Sequence, residues 1–274
     1  MKCIVFVGGG NMASAIISGL LKQGHAAAAL HVIEPGAAQR DKLFRDFGVS
    51  SQAVADSGLA GADLAVWAVK PQTFVQAAIE CAPWLRAALH LSVMAGIRVA
   101  ALSQALRTER VVRAMPNTPA LIGQGIAGMF APASVSDAER SLAEQVLRAT
   151  GSTLWVDAEA DLDAVTALSG SGPAYVFYFL EAMMQAAAQM GLSAEVGRRL
   201  ALATFSGATA LAEASLEAPA ILRDRVTSKG GTTHAALLSL EQHGVKAAFV
   251  EALNAARQRA MELGDQFGGG PPPA

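Results

Sequence analysis

Short apolar runs alternate with segments of helical period through the first half of the chain, and this alternation constrains the fold more than any other feature. Apolar runs at 3–7, 30–33, 64–69, 89–94, 111–114 and 153–156 read as buried strands. Between the first two, Met12, Ile16, Ile17, Leu20 and Leu21 recur at helical spacing until Gly24; 37–47 and 137–149 read as further helices. Strands separated by helices of this length call for crossover connections, so an α/β domain with a doubly wound, mostly parallel sheet is expected. After Asp157 the alternation stops. From Asp161 onward the pattern is helical, broken at 170–173, Gly191, Pro219, 230–231 and Gly244. The expected organisation is an α/β domain over 1–157, an all-helical domain over 158–267 and a disordered tail over 268–274, where the sequence is GGGPPPA.

Composition narrows the function classes. The 274 residues carry a formal net charge of −2, without the basic excess of a nucleic-acid binder. With 52% hydrophobic and 16% charged residues, whole-chain disorder is excluded, leaving a large core or a membrane span. The most apolar stretch, 173–191, holds Glu181 near its middle with Gln185 and Gln189 beyond it. A central acid costs about 2.5–3.5 kcal/mol on insertion, so a buried helix, suited to a subunit interface, is the expectation rather than a span. Residues 1–15 imitate a signal peptide, but glycines and Asn11 interrupt the apolar run after Val7. Cys3 and Cys81 offer neither metal spacing nor a disulfide framework, so a reducing cytoplasmic setting is expected. His25, His31, His90, His234 and His243 form no dyad and no metal site; a helix-surface role suits His234.

The first strand runs into Gly8-Gly9-Gly10-Asn11-Met12-Ala13, a G-x-G-x-x-A turn that opens a helix. Gly8 permits the tight turn, Gly10 lets a pyrophosphate approach the backbone, and Ala13 keeps helix and sheet close. The helix N-terminus then offers N–H donors and a positive dipole end to phosphates. A methyltransferase loop for an adenosine-containing donor would look similar. Glu34 ends the second strand, where an acid holds the ribose hydroxyls of NAD and repels a 2′-phosphate. Arg40, nearby in sequence, would favour that phosphate, so both cofactors stay open.

Two further segments fall at the carboxyl edge of the same sheet, where doubly wound folds bind ligands. Ala68-Val69-Lys70-Pro71-Gln72 follows the third apolar run, and Met115-Pro116-Asn117-Thr118-Pro119 follows the fifth, its two prolines stiffening the loop. In the helical half, 168–173 (LSGSGP) interrupts a helical pattern at some cost in propensity. The stretch from Asp224 to His234 places Ser228, Gly230, Gly231, Thr232 and Thr233 before an apolar helix. Such a start either caps the helix or presents free N–H groups to a carboxylate, and the two glycines favour the anion.

In this order and spacing, GGGNMA, AVKPQ, MPNTPALIGQG, ALSGSGPAYVF and DRVTSKGGTTHAAL resemble the signatures of the pyrroline-5-carboxylate reductase family, from residue 1 to about 264. The resemblance implies a Rossmann domain followed by a helical substrate and dimerisation domain. It also implies reduction of 1-pyrroline-5-carboxylate to L-proline by NADPH or NADH, and a homodimer or ring of dimers acting in the cytoplasm. Residue by residue, Gly8, Gly10, Asn11, Met12 and Ala13 would form the pyrophosphate turn. Glu34 would lie at the adenosine ribose, Ala68, Val69, Lys70 and Pro71 would flank the cofactor, and Asn117 and Thr118 would lie beside the nicotinamide ribose and substrate. Ser228, Gly230, Gly231, Thr232 and Thr233 would bind the substrate carboxylate, with the Thr233 hydroxyl near the ring nitrogen. Lys229 stands where the family usually has Pro, Ala55-Asp56 where members often carry Asn, and Glu34-Pro35 replaces a common Asn-Arg or Ser-Arg pair.

Such a reaction would demand few ionisable groups, because a pyrroline imine can arrive protonated and already electrophilic. A reductase of a related imine or of a β-hydroxyacid is a same-fold alternative. Against it stand Thr232-Thr233 and the lack of a lysine with an Asn partner in the helical half. A dinucleotide sensor without turnover is the alternative from another class.

Overall fold

The computed structural model describes residues 2–268. Its first part alternates as expected: β1 (Ile4–Val7), α1 (Asn11–Lys22), β2 (Leu30–Ile33), α2 (Ala37–Phe47), β3 (Ser50–Gln52), β4 (Leu64–Trp67), α3 (Phe74–Cys81), β5 (Leu89–Ser92), α4 (Val99–Leu106), β6 (Val111–Met115), β7 (Gly125–Phe130), α5 (Asp137–Arg148) and β8 (Gly151–Trp155). The strands form one sheet in the order β3-β2-β1-β4-β5-β6-β7-β8, parallel throughout except that β6 pairs antiparallel with β7. β1 therefore has β2 on one side and β4 on the other, which makes its carboxyl end the point where the strand order reverses.

Side chains that alternate along each strand feed two cores. Ile4 and Phe6 pack on one face with Ile16, Ile17 and Leu20 of α1 and Val146 and Leu147 of α5. Val5 and Val7 pack on the other with Trp67, Phe74 of α3 and Leu102 of α4. Because the central strands are buried on both faces, they read as continuous apolar runs. α5 carries a capping box in which Ser136 N–H donates to Glu139 Oε2 at 2.9 Å.

β3 and β7 have no counterpart in the strand pattern of the sequence. β3 is the polar edge strand Ser-Ser-Gln, which buries too little to leave a hydrophobic signature. β7 contains Gly125 and Gly128 because neighbours press on it; a Cβ at Gly128 would lie 2.7 Å from Val165 Cγ1.

The remaining elements are helical: α6 (Asp161–Val165), a π-helical turn (Thr166–Gly170), α7 (Gly172–Gln189), α8 (Ala194–Ala214), α9 (Pro219–Arg225), α10 (Thr232–Gln242) and α11 (Val245–Gly268). By packing, the chain up to Ser171 together with the part from Ala256 onward is one compact unit, and Gly172–Ala255 is the other. The division expected after residue 157 falls at the end of the sheet, while α6 and the π-turn still pack on it through Val165 and Gly170. The tail expected over 268–274 lies outside the described residues beyond Gly268, the end of α11. No described helix is long and apolar enough to cross a membrane, and no group of His, Cys, Asp or Glu among the described residues could hold a metal ion. α7, expected to be buried, has no buried residue within the single chain.

Candidate active site

The glycine-rich turn lies at the reversal point of the sheet. Gly8 has φ +96°, a conformation L side chains rarely adopt, and a Cβ there would lie 2.8 Å from the Ala68 carbonyl oxygen. The turn and the end of β4 can approach this closely only with glycine between them. Gly10 precedes α1 as its N-cap, is exposed, and a Cβ there would meet no protein atom within 4 Å. No side chain caps α1, so the N–H groups of its first turn depend on other acceptors. This combination suits an anion such as a pyrophosphate.

At the neighbouring strand end, Glu34 turns back toward the glycine turn. Its Oε2 accepts from Gly9 N–H at 2.9 Å, and its Oε1 accepts from Gly36 N–H at 2.8 Å. The Gln39 amide donates to the Gly9 carbonyl, so both backbone groups of Gly9 are held from the β2–α2 connection. Arg40 Nη1 donates to the carbonyls of Glu34 and Pro35 at 2.8 and 2.7 Å.

The other two strand ends complete this edge. Ala68 N–H donates to the Val7 carbonyl at 2.9 Å, and Val69 Cγ1 abuts Gly8. Lys70 is exposed, its carbonyl accepting from Thr73 N–H at 2.9 Å, while Pro71 opens the following 3₁₀ turn. Beyond β6, Thr118 is exposed whereas Asn117 is buried. Asn117 Oδ1 accepts from Ile126 N–H at 3.0 Å, and its Nδ2 donates to the Ser169 carbonyl at 3.1 Å. One side chain thus ties the β6 loop to the start of β7 and to the π-turn. Gly170 in that turn presses on β6; a Cβ there would lie 2.6 Å from Met115 Cε.

In the second unit, α10 starts from an equally bare end. Gly231 is its N-cap, in extended conformation and with no side-chain cap, and Gly230 has φ +76°. Gly231 N–H donates to the Ser228 carbonyl at 3.0 Å, and Ser228 Oγ lies so close that a Cβ on Gly231 would come within 2.6 Å of it. The loop is braced from behind by Thr227 Oγ1, which donates to the Arg223 carbonyl at 2.6 Å. Lys229, Thr232 and His234 are exposed and Thr233 is half-buried. The N–H groups and hydroxyls of a first helical turn can hold a carboxylate.

A family model described as pyrroline-5-carboxylate reductase dimerisation matches residues 159–263, and one described as NADP oxidoreductase, coenzyme F420-dependent, matches residues 3–96. A pyrroline-5-carboxylate reductase of Pseudomonas aeruginosa is 46% identical over 267 residues, covering 97% of this chain and 98% of the relative. The chain belongs to the pyrroline-5-carboxylate reductase family. Two solved structures are similar along nearly the whole length. A pyrroline-5-carboxylate reductase from Coxiella burnetii has a TM-score of 0.88 at 36% identity, covering 96% of this chain and 98% of that one. The Plasmodium falciparum pyrroline carboxylate reductase, with NADP bound, has a TM-score of 0.85 at 28% identity and the same coverage.

As in other Rossmann domains, a pyrroline-5-carboxylate reductase of this sequence would hold an NAD(P)H pyrophosphate at the N-terminus of α1, and the open side of Gly10 fits that use. Gly8, Gly10, Asn11, Met12, Ala13, Glu34, Ala68, Val69, Lys70, Pro71, Asn117 and Thr118 all belong to the first unit; Ser228, Gly230, Gly231, Thr232 and Thr233 belong to the second. Sequence reasoning missed Gln39 and Ser169. Gln39 sits unmarked on an exposed-looking helix. Ser169 contributes a backbone carbonyl, which no residue type advertises.

Proposed function

We propose that the protein reduces 1-pyrroline-5-carboxylate to L-proline with NADPH or NADH. The observation that carries this reading is the pairing of two uncapped helix starts, each preceded by glycines: α1 at the sheet's reversal point and α10 after Ser228–Lys229. The first suits a dinucleotide pyrophosphate and the second a small carboxylate. When bound, the reduced nicotinamide supplies a hydride to the imine carbon of the ring.

The protein's part is orientation and electrostatics. The N–H groups of Thr232 and Thr233 and the hydroxyls of Ser228 and Thr232 hold the substrate carboxylate, while Gly231 N–H closes the turn onto the Ser228 carbonyl. Thr233 Oγ1 stands at the ring nitrogen, stabilising the protonated imine and then the product amine. Asn117 acts through its ties to Ile126 and Ser169, which fix the loop carrying Thr118 beside the nicotinamide ribose. Residues 1–157 would supply the nucleotide site and 158–267 the substrate site and dimer contact. A cytoplasmic homodimer, or a ring built from such dimers, would act on this small molecule without nucleic acid or membrane.

The test follows absorbance at 340 nm with each reduced cofactor and 1-pyrroline-5-carboxylate. Oxidation of at least one cofactor with formation of proline is expected. Cofactor binding without oxidation by either would mark a sensor and overturn the reading.

A further inference from the structure

We propose that Glu34 makes the nucleotide site selective for NADH over NADPH, with Gln39 as its positioning partner. The inference rests on the proposed reading of Gly8–Ala13 as the pyrophosphate turn, since only then does the end of β2 face an adenosine ribose. The sequence leaves Glu34 and Arg40 pulling in opposite directions; their geometry separates them.

Glu34 is held in place from both sides. Each carboxylate oxygen accepts one backbone N–H, from Gly9 in the glycine turn and from Gly36 in the next turn. A carboxylate oxygen has a second lone pair, so both oxygens can still accept a ribose hydroxyl. The Gln39 amide, on the Gly9 carbonyl, fixes the peptide that orients Glu34. A 2′-phosphate at the same ribose would bring a second anion against this acid and would offer no hydroxyl donor to its remaining lone pairs. Arg40 is engaged elsewhere. Both hydrogens of its Nη1 are used on the Glu34 and Pro35 carbonyls, which ties the guanidinium to the backbone of the turn. Turning Nη1 toward a phosphate would cost those two bonds, which leaves Nε and Nη2 as the donors Arg40 could offer one. The acid is preorganised to accept ribose hydroxyls, whereas the base has one nitrogen committed to backbone carbonyls.

Binding of NADH and NADPH to the purified full-length chain, followed by cofactor fluorescence at one ionic strength and without substrate, tests this apart from catalysis. The dissociation constant for NADPH is expected to exceed that for NADH by at least about tenfold. In Glu34→Gln the ratio should fall to within about threefold of unity, through tighter NADPH and weaker NADH. Arg40→Met should shift NADPH affinity by less than about threefold, since its Nη1 bonds are to backbone carbonyls. A wild-type ratio near one, or tighter NADPH, overturns the inference, as does an unchanged ratio in Glu34→Gln. If that variant does not fold by circular dichroism, the wild-type ratio and Arg40→Met decide. Failure of both cofactors to bind removes the dinucleotide reading itself, an outcome separate from equal binding of the two.

Discussion

Asn117 in the first unit and Thr233 in the second are polar side chains in two different settings. Asn117 is buried, and its amide bridges Ile126 N–H and the Ser169 carbonyl, so it shapes the loop after β6 from inside. Thr233 is half-buried in the first turn of α10, which starts from the N-cap Gly231 with no side-chain cap. Thr233→Ala is therefore expected to lower kcat by about tenfold or more while the NADH dissociation constant changes less than about threefold. Steady-state rates combined with fluorescence titration check this, and Thr233→Ser should recover most of the rate. An unchanged kcat in Thr233→Ala would remove the hydroxyl from the reaction. The motif residues were legible in the sequence because glycine, proline and threonine at fixed offsets have few other uses. The partners of Asn117 and Glu34 were not, because a backbone N–H or carbonyl looks the same at every position.

At the scale of elements, the parallel pair β4–β5 carries a buried polar contact in a mostly apolar layer. Trp67 Nε1 donates to His90 Nδ1 at 2.9 Å, and both residues are buried. Burial, aided by the positive charge of Arg110, pushes the His90 imidazole down to about 4. Above the unfolded value of about 6.5 both states are neutral, and between that pH and 4 only the unfolded chain takes the proton. Stability is thus fully present above about pH 6.5 and is lost as pH falls toward 4, by about 2–3 kcal/mol at pH 4.5. Urea unfolding at fixed protein concentration should show this loss between pH 7 and 4.5. His90→Gln, which keeps an acceptor for Trp67, should lose correspondingly less. Equal losses in the two proteins would discard His90 as their source. The central strands were readable because burial on both faces makes them uniformly apolar. β7 was hidden, since glycines demanded by Ala120 and Val165 dilute its pattern.

For the whole molecule, the two units differ in how they bury surface. The first holds two apolar cores on the faces of its sheet. In the second, Gly197 and Ala201 are the buried residues, while Phe177, Tyr178, Met190, Leu200, Leu211 and Leu238 are exposed. Helices with so little buried surface cannot offset their own conformational entropy, which amounts to about 1–2 kcal/mol per residue for the backbone alone. Their apolar sides call for a second copy of the chain, in line with the proposed homodimer. Light scattering at micromolar concentration is expected to give at least twice the chain mass of 28.1 kDa, with unfolding that shifts upward as concentration rises. A stable 28.1 kDa species with a concentration-independent transition would end this explanation of the composition.

The alternation of strand and helix, the change to all-helical structure after the sheet, and the motifs that mark the family can all be read along the chain. Those features are local: apolar period, turn chemistry and helix starts are written in neighbouring residues. Contacts made across the fold set the rest: the end of β4 excludes a side chain at Gly8, β7 runs antiparallel to β6, and Asn117 serves two backbone groups. The same contacts set the Glu34 carboxylate against the N–H groups of Gly9 and Gly36 and Arg40 Nη1 against the carbonyls of Glu34 and Pro35. Charge type is a property of the residue, but the direction in which a charge can act is set by the backbone groups that fold around it.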